Sequence, residues 1–237
     1  MEGLLLAWFD AHGRDLPWRR TTDPYAILVS EVMLQQTQVP RVVPRWLAWL
    51  ERWPTVHDLA AAPVSDVILA WQGLGYNRRA VNLHRAAQVV AERGWPDDLT
   101  ELPGVGRYTA DAVGRFALGR PVLPVDVNIG RVLERTGGSF THASAAALMD
   151  LGATVCLARI PRCDACPLAE GCPSRGRRYA PLRKQGRFEG SFRQRRAELL
   201  RAVAARPASV GDVDGEVVET LVRDGLVVVE DGVVRLP

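Results

Sequence analysis

The sequence has almost no lysine. Lys184 is the single lysine among 30 basic residues, and all the others are arginine. Arginine suits bidentate contacts with phosphate groups, but a GC-rich genome produces the same bias, so both explanations stay open. The net charge is only +3, although the pI is about 8.9. Composition therefore does not by itself identify a phosphate-binding protein.

A signal peptide and apolar runs of membrane length are also missing. Met1–Gly3 leads directly into an amphipathic helix, and the apolar stretches are too short to span a bilayer. We therefore expect a cytoplasmic protein with no membrane partner. In such a reducing compartment, a metal role is expected for the four cysteines rather than disulfides.

Strand patterns are absent before residue 205, and there is no internal repeat. The 237 residues, 47% of them hydrophobic, suffice for one large domain or two unequal ones. The hydrophobic spacing predicts an all-helical body over the first 155 residues, with Leu16–Arg20 extended. Helices are expected at 4–9, 23–38, 40–53, 55–62, 65–72 and 78–93.

A Pro-Gly-x-Gly corner divides two predicted helices and indicates a helix–hairpin–helix. Gly104 and Gly106 are both expected to take a positive φ and to bring the backbone close to a bulky group. The N–H groups at the start of the second helix then point at a phosphate-sized anion. An ordinary turn between packed helices is the alternative. The residues of this corner that would bind such an anion are Leu102, Gly104, Val105, Gly106 and Arg107.

Asp126 immediately precedes another predicted helix, so it is a preferred N-cap residue, worth roughly 1 kcal/mol. A capping carboxylate is held ionised by helix N–H groups, which also suits the stabilisation of a developing cation. Asn128 either orients Asp126 or is itself a cap. The structural and the catalytic interpretations of Asp126 are therefore compatible.

Glu31 lies in the middle of an apolar helix, on the face that Ile27 and Gln35 are expected to share. If it faces solvent, it has no special role. If it faces a pocket, burial favours its protonated form, as a general acid requires. Gln35 and Gln36 carry both donors and acceptors, so they are either readers of base edges or solvated polar residues.

Four cysteines lie within seventeen residues, with the spacing C-x6-C-x2-C-x5-C: Cys156, Cys163, Cys166 and Cys172. Structural zinc usually takes two short knuckles, whereas this run has one C-x2-C. A [4Fe–4S] cluster accepts four cysteines on a loop of this kind. The spacing favours the cluster over zinc, and disulfides are the least favoured of the three.

A basic stretch connects the cysteines to a small C-terminal module. Such a stretch is either a solvated connector or a strap along a nucleic-acid backbone. It holds one acidic residue, Glu189, and the basic residues Arg175, Arg177, Arg178, Arg183, Lys184, Arg187, Arg193, Arg195 and Arg196. The module after it resembles a truncated winged helix, with helices at 195–206 and 215–224 and a hairpin across Asp231-Gly232.

Together these motifs resemble the helix–hairpin–helix–Gly/Pro–Asp superfamily of DNA glycosylases and, within it, the MutY adenine glycosylases. The resemblance covers roughly residues 4–180, and the segment around Glu31 is its most specific part. It rests on the corner at 102–110 with Val125–Asn128, and on Ser30–Val39, Leu16–Trp18, Gly73–Tyr76 and Met149–Ala153. The cysteine spacing is the one that MutY shares with endonuclease III.

The resemblance implies an all-α, two-lobed glycosylase fold with a [4Fe–4S] cluster loop and a small winged-helix-like module. The expected domains are a six-helix barrel at 18–113, an iron–sulfur domain at 1–17 and 114–180, a basic linker at 181–192, and the module at 193–237. The partner it implies is double-stranded DNA with a mismatched or damaged base, bound by a monomer.

The resemblance also implies roles for individual residues. Glu31 protonates adenine and Asp126 stabilises an oxocarbenium-like sugar, with Tyr108 and Asn128 in support. Gln36 and Tyr76 fill or wedge the opened base stack. The candidate DNA contacts further include Gln35 and Thr37, and the cluster ligands are the four cysteines.

Two departures from the family pattern bear on recognition of the base opposite adenine. We expect this protein to lack the C-terminal domain that reads 8-oxoguanine in typical members, and the segment 137–147 is short. A related branch that removes thymine or uracil opposite guanine also carries Tyr at the position of Tyr108, but Gln35-Gln36 argues against it. A non-catalytic or redox-sensing iron–sulfur protein that binds damaged DNA is the alternative in another class.

Overall fold

The computed structural model describes residues 1–180 and 186–237, and most of these are helical. The helices are α1 (Glu2–His12), α2 (Pro24–Leu34), α3 (Val39–Arg52), α4 (Val56–Ala61), α5 (Val64–Trp71), α6 (Arg78–Arg93), α7 (Arg107–Phe116), α8 (Val127–Thr136), α9 (Ala145–Thr154), α10 (Phe192–Ala205) and α11 (Gly215–Arg223). Three short strands follow α10: β1 (Ala208–Ser209), β2 (Val228–Glu230) and β3 (Val233–Arg235). The all-helical body is confirmed. No helix in the described ranges has the length and apolarity to cross a membrane.

Two local predictions were wrong. The segment 16–20 is not extended, because Pro17–Arg19 forms a 3-10 turn in which the Arg19 N–H donates to the Leu16 carbonyl at 2.9 Å. Helix α2 does not run to Gln38 but ends at Leu34, since the Gln36 backbone is left-handed with φ of 55°. Gln35 therefore does not continue the helical face of Glu31.

The chain divides into two compact units, each with its own hydrophobic core. One unit contains residues 1–27 and the described residues of 106–184, and the other contains 28–105 and the described residues after 185. Five residues, 181–185, lie outside the described ranges, and with them Arg183 and Lys184 of the predicted basic linker. The domain boundaries expected from the sequence stay a prediction.

A buried ion-pair cluster ties the N-terminal segment to α9 in the first unit. The Asp150 side chain is fully buried and accepts hydrogen bonds from the guanidinium groups of Arg14 and Arg19, at 2.6 to 2.9 Å. Burial alone would raise the pKa of Asp150, but the hydrogen bonds from Arg19 and Arg14 hold it below its ordinary value. The first unit also contains an apolar core built from α1, α8, α9 and the loop that carries the cysteines: Leu5, Ile129, Val132, Leu148, Leu151 and Leu168.

The core of the second unit continues into the C-terminal module. Ile68 of α5 and Val81 of α6 pack with apolar residues of the module: Leu200, Val203, Val217, Leu221, Leu226 and Val234. Its sheet is antiparallel in the order β1-β3-β2, and the predicted hairpin turn is confirmed by the positive φ values of Asp231 and Gly232. Strand β1 was not predicted, because two residues are too few for an alternating pattern.

Candidate active site and cysteine cluster

The Pro-Gly-x-Gly corner has one strained glycine, not two. Gly104 has φ of +76°, and a Cβ on it would lie 2.7 Å from the Asn82 Cβ, so both backbone and neighbour require glycine. Leu102 and Val105 anchor the corner by burial, and the Val105 N–H donates to the Leu102 carbonyl at 3.0 Å. The positive φ predicted for Gly106 was wrong: its backbone is extended, at φ −88° and ψ 175°.

Gly106 is instead the N-cap of α7 and offers the helix no side-chain cap. The following residue, Arg107, is exposed, and its Nε donates to the Asp111 carboxylate at 3.1 Å. An exposed pair of this kind contributes at most about 1 kcal/mol, so a phosphate can replace Asp111 at low cost. Tyr108, one residue further along α7, is half-buried.

Asp126 is the N-cap of α8, as the sequence predicts. Its Oδ1 accepts hydrogen bonds from the backbone N–H groups of Asn128 and Ile129, at 2.9 and 2.7 Å. Its Oδ2 accepts a third from the Asn128 side-chain Nδ2 at 2.8 Å. Of the two roles considered for Asn128, the structure therefore places it as the orienting neighbour. The carboxylate is held by donors to both oxygens.

Asn128 is in turn held by an arginine that the sequence analysis missed. The Arg131 Nη2 donates to the Asn128 Oδ1 at 2.7 Å and to the Gly152 carbonyl at 2.6 Å, while its Nε donates to the Cys156 carbonyl at 2.8 Å. Burial lowers the pKa of Arg131 from its ordinary value. Its position one turn after Asn128 was the available signal.

Gly152, in the motif Met149–Ala153, lies directly against Asn128. A Cβ on Gly152 would lie 2.7 Å from the Asn128 Cβ and 3.0 Å from its carbonyl oxygen. Real Cβ atoms are essentially never that close to another atom, so glycine here lets α8 and α9 approach each other. The motif alone does not show this contact, which is seen only in the folded structure.

Glu31 is buried in α2, with 7% of its surface exposed. Its neighbours in the sequence, from Ala26 to Met33, are also buried, which removes the solvent-facing alternative. Gln35 and Thr37 are half-buried and Gln36 is exposed. Glu31 belongs to the second unit, whereas Tyr108, Asp126 and Asn128 belong to the first.

Tyr76 lies in a turn whose backbone is held by a second arginine that the sequence analysis missed. The Tyr76 backbone is left-handed, at φ 46°, and its side chain is 44% exposed. The Arg79 guanidinium donates to carbonyl groups of this turn and also to those of the segment at Gln35. The structure thus joins two segments that the sequence predicts to contact DNA.

None of the four cysteines forms a disulfide, and all four line one cavity in the first unit. The other residues of its wall include Val132, Leu151, Val155, Arg135, Arg162 and Arg175, and the hydroxyl residues Thr136 and Ser174. Burial, reinforced by the neighbouring sulfur atoms, raises the pKa of the Cys166 thiol. The Arg135 Nη1 lies 3.5 Å from the Cys156 Sγ, and the Gly176 N–H donates to the Cys163 Sγ at 3.3 Å.

The four cysteines line this cavity together. In the ranges that the structure describes, no group of three or more His, Cys, Asp or Glu side chains is arranged to hold a single metal ion. Four thiols around a cavity with N–H donors to sulfur and arginines on the wall are compatible with an anionic cluster of several irons.

Comparisons with known proteins agree with this geometry. Residues 29–153 match the family described as HhH-GPD superfamily base excision DNA repair protein. The chain is 44% identical over 228 residues to the adenine DNA glycosylase of Mycolicibacterium smegmatis, covering 83% of this chain and 78% of that protein. It is 40% identical to the adenine DNA glycosylase of Mycobacterium tuberculosis over an alignment 281 positions long. This alignment covers 98% of this chain and 92% of that protein.

Two solved structures share the fold. A thermostable thymine-DNA glycosylase superposes with a TM-score of 0.65 at 28% identity, over 72% of this chain and 93% of that one. A trapped endonuclease III–DNA covalent intermediate gives a TM-score of 0.62 at 24% identity, over 71% and 91%. Fold and comparisons together define a DNA N-glycosylase. The chain belongs to the HhH-GPD superfamily of base excision DNA repair proteins, and the resemblance to its MutY-type members is confirmed.

Proposed function

We propose that this protein excises adenine from mismatches with 8-oxoguanine or guanine and leaves an abasic site. The observation that carries the proposal is the buried carboxyl group of Glu31, because a purine must be protonated before it leaves whereas thymine and uracil need no such step. The relatives at 40–44% identity are themselves named adenine DNA glycosylases.

Glu31 acts in this proposal as the general acid. The adenine nucleotide first leaves the base stack, which costs a few kcal/mol and less in a mismatch. Glu31 then donates a proton to the purine ring, and the bond between base and sugar breaks. Glu31 is 7% exposed, and burial in general favours the protonated form that a general acid needs. The general-acid contribution is worth roughly 10²–10⁴-fold in rate.

Asp126 stabilises the positive charge that develops on the sugar as the base departs. Three N–H donors hold its two oxygens in place, so the carboxylate does not need to reorganise during the reaction. Asn128 orients it, and Tyr108 on α7 supports the same region. Water then adds to the sugar and completes the hydrolysis.

The DNA contacts fall into two groups. The corner at 102–107 binds the phosphate backbone through its N–H groups and Arg107. Gln36 and Tyr76 enter the opened stack, and Gln35 and Thr37 face the bases from the same segment. The enzyme acts as a monomer on double-stranded DNA.

The cysteines hold a [4Fe–4S] cluster. Cys156, Cys163, Cys166 and Cys172 would be its ligands, and Arg135 would donate a hydrogen bond to a ligand sulfur. When bound, the cluster supplies a four-point cross-link of the loop. Arg131 contacts the Cys156 carbonyl on one side and Asn128 on the other, so an ordered loop helps to fix the Asp126 carboxylate.

The test is a single-turnover incubation of the full chain with duplexes that contain A:8-oxoG, A:G, T:G or U:G. We expect alkali-labile abasic sites in the two adenine duplexes. Excision of thymine or uracil with adenine left in place would establish the G-mismatch alternative. Tight mismatch binding without any release of base would establish the non-catalytic DNA-binding alternative.

A further inference from the structure

Arg79, near the start of α6, binds the open end of α2. A helix leaves its last four carbonyl groups without partners in the helix, and α2 ends at Leu34. The Arg79 Nη1 lies 2.7 Å from the Val32 carbonyl oxygen, 3.1 Å from that of Met33 and 2.7 Å from that of Gln35. A cation is also favoured at this negative end of the helix dipole.

The other side of the same guanidinium binds the turn between α5 and α6. Its Nη2 donates to the carbonyl oxygens of Leu74 at 3.2 Å and Gly75 at 2.9 Å, and to the Thr37 hydroxyl at 3.2 Å. The Gly75 carbonyl also accepts from the Trp71 indole at 3.2 Å. One planar group therefore joins two loop segments that lie about forty residues apart in the chain.

The arrangement costs free energy of folding, because a charged guanidinium group is buried among neutral groups. Arg79 is 9% exposed, and its polar partners are backbone carbonyls and one hydroxyl. Burial lowers its pKa to about 10. The guanidinium carbon lies 5.2 Å from the centre of the Trp71 ring and 5.7 Å from that of Tyr76, which partly offsets the desolvation.

The two joined segments share an unusual backbone. Gln36 and Tyr76 have φ of 55° and 46°, and the described residues contain one other non-glycine residue with positive φ, Asp231 in the hairpin. Such backbone conformations cost free energy, and they persist only where contacts with the surrounding structure hold them in place. Both residues are exposed, and both carry side chains proposed above to enter the base stack.

We propose that Arg79 is a positioning residue that fixes the Gln36 and Tyr76 turns relative to each other, so that both side chains enter the DNA as one preset wedge. The inference rests on the proposed function, because it takes the DNA as the partner of both turns. A simple helix cap would need only the α2 carbonyls, whereas Arg79 contacts both turns. Lysine cannot replace it, since one ammonium cannot reach acceptors on both edges of a planar fork.

The test compares Arg79→Lys with the matched control Arg93→Lys, an exposed arginine at the far end of the same helix. Dissociation constants are measured for matched and A:8-oxoG duplexes, well below the thermal midpoint of each variant. The adenine nucleotide carries a 2′-fluorine, which disfavours an oxocarbenium-like sugar and blocks excision. We expect Arg79→Lys to weaken mismatch binding about tenfold and matched binding less than about twofold. Arg93→Lys changes neither.

A second background separates positioning from general stability. In a Gln36→Ala/Tyr76→Ala chain the wedge is gone, so adding Arg79→Lys is expected to cost less than about twofold in mismatch binding. An equal cost in both backgrounds, or unchanged mismatch binding by folded Arg79→Lys, would overturn the inference. Because these are binding measurements, the coupling can be found even if adenine is not the base released, in which case the proposed function alone fails.

Discussion

At the scale of single residues, the structure separates the groups proposed for chemistry from those that hold them. Asp126 is surrounded by donors, and Asn128 lies between it and Arg131. Glu31 is buried in the middle of α2, within a run of buried residues from Ala26 to Met33. The structure therefore shows which donors hold the proposed stabiliser Asp126, and that the proposed acid Glu31 is buried.

Glu31→Gln and Asp126→Asn test the two carboxyl groups. Glutamine has nearly the same size as glutamate but cannot give up a proton as an acid, and asparagine loses the charge that faces the sugar. We expect both variants to fold and to bind mismatched DNA, while single-turnover excision falls by at least about 100-fold. Asp126→Asn also turns a donor toward the Asn128 amide, so a small loss of thermal stability accompanies it.

Adenine release by Glu31→Gln at nearly the wild-type rate would refute protonation of the base by this residue. Excision of thymine or uracil, in which no purine nitrogen is protonated, would then be favoured over excision of adenine. The duplex panel applied to the same variant distinguishes the two outcomes.

Gly152→Ala tests the support of Asn128. The new Cβ would lie 2.7 Å from the Asn128 Cβ, so Asn128 must shift and the Asp126 carboxylate with it. We expect a destabilisation of about 1–3 kcal/mol and a fall in the single-turnover rate of about tenfold. Chemical denaturation and rapid-quench kinetics measure the two effects.

Gly130→Ala is the matched control, because its Cβ would meet Val125 at an ordinary 3.6 Å. Alanine inside a helix is favoured over glycine by roughly 0.5–1 kcal/mol, so this variant should be at least as stable as the wild type. Wild-type kinetics for Gly152→Ala would show that the position of Asn128 is not critical.

At the scale of structural elements, the corner before α7 separates two effects of glycine. Gly104 combines a positive φ with a close approach to Asn82, whereas Gly106 has an extended backbone and open space where a Cβ would lie. Strain is therefore confined to the first glycine. The second glycine leaves the N-terminus of α7 unobstructed.

We expect Gly104→Ala to lower DNA affinity more than it lowers the single-turnover rate at saturating enzyme, because it deforms the phosphate-binding corner. It should also lower the thermal midpoint, since the added Cβ contacts Asn82. Gly106→Ala should keep the wild-type midpoint, so any loss of affinity there reports the approach of the phosphate itself. Binding is followed by fluorescence anisotropy of labelled duplexes. An unchanged affinity in both variants would refute phosphate binding at this corner.

Helix ends were the least predictable feature of the elements. The start of α2 after Asp23 follows from a local cap, since the Asp23 carboxylate accepts from the N–H groups of Tyr25 and Ala26. Its end at Leu34 depends on Arg79, which lies 47 residues beyond Val32. No local pattern around Gln35 contains that information.

At the scale of the whole molecule, the cysteine cavity predicts the colour of the protein. We expect a brown protein with broad absorbance near roughly 400 nm, because four thiolates around several irons give charge-transfer bands. Iron and sulfide analysis together with the spectrum is the measurement. Colourless protein with stoichiometric zinc and full excision activity would contradict the assignment.

The scarcity of lysine predicts that the DNA strand stays intact after the base has been removed. A lyase of high efficiency needs an amine that forms a Schiff base with the sugar, and the hairpin carries Tyr108 rather than a lysine. Lys184 is the single lysine of the sequence and lies outside the described residues. We expect an intact abasic strand that breaks only after alkali, and no efficient borohydride-trapped complex. Efficient trapping would identify an amine nucleophile that this proposal lacks.

The sequence by itself determined what depends on neighbours along the chain. The helical body, the N-cap at Asp126, the positive φ of Gly104 and the Asp231-Gly232 turn all follow from periodicity, capping and turn chemistry within a few residues. The family followed from motifs of the same short range.

Only the tertiary structure decided how the site is held together. Arg79 joins two turns, Arg131 reaches from Asn128 to Gly152 and Cys156, and Gly152 leaves room for Asn128. Each of these depends on atoms brought together from segments more than twenty residues apart in the chain. Arginine and glycine at such positions look ordinary in a sequence, because the acceptors and neighbours that give them a role are assembled only by folding.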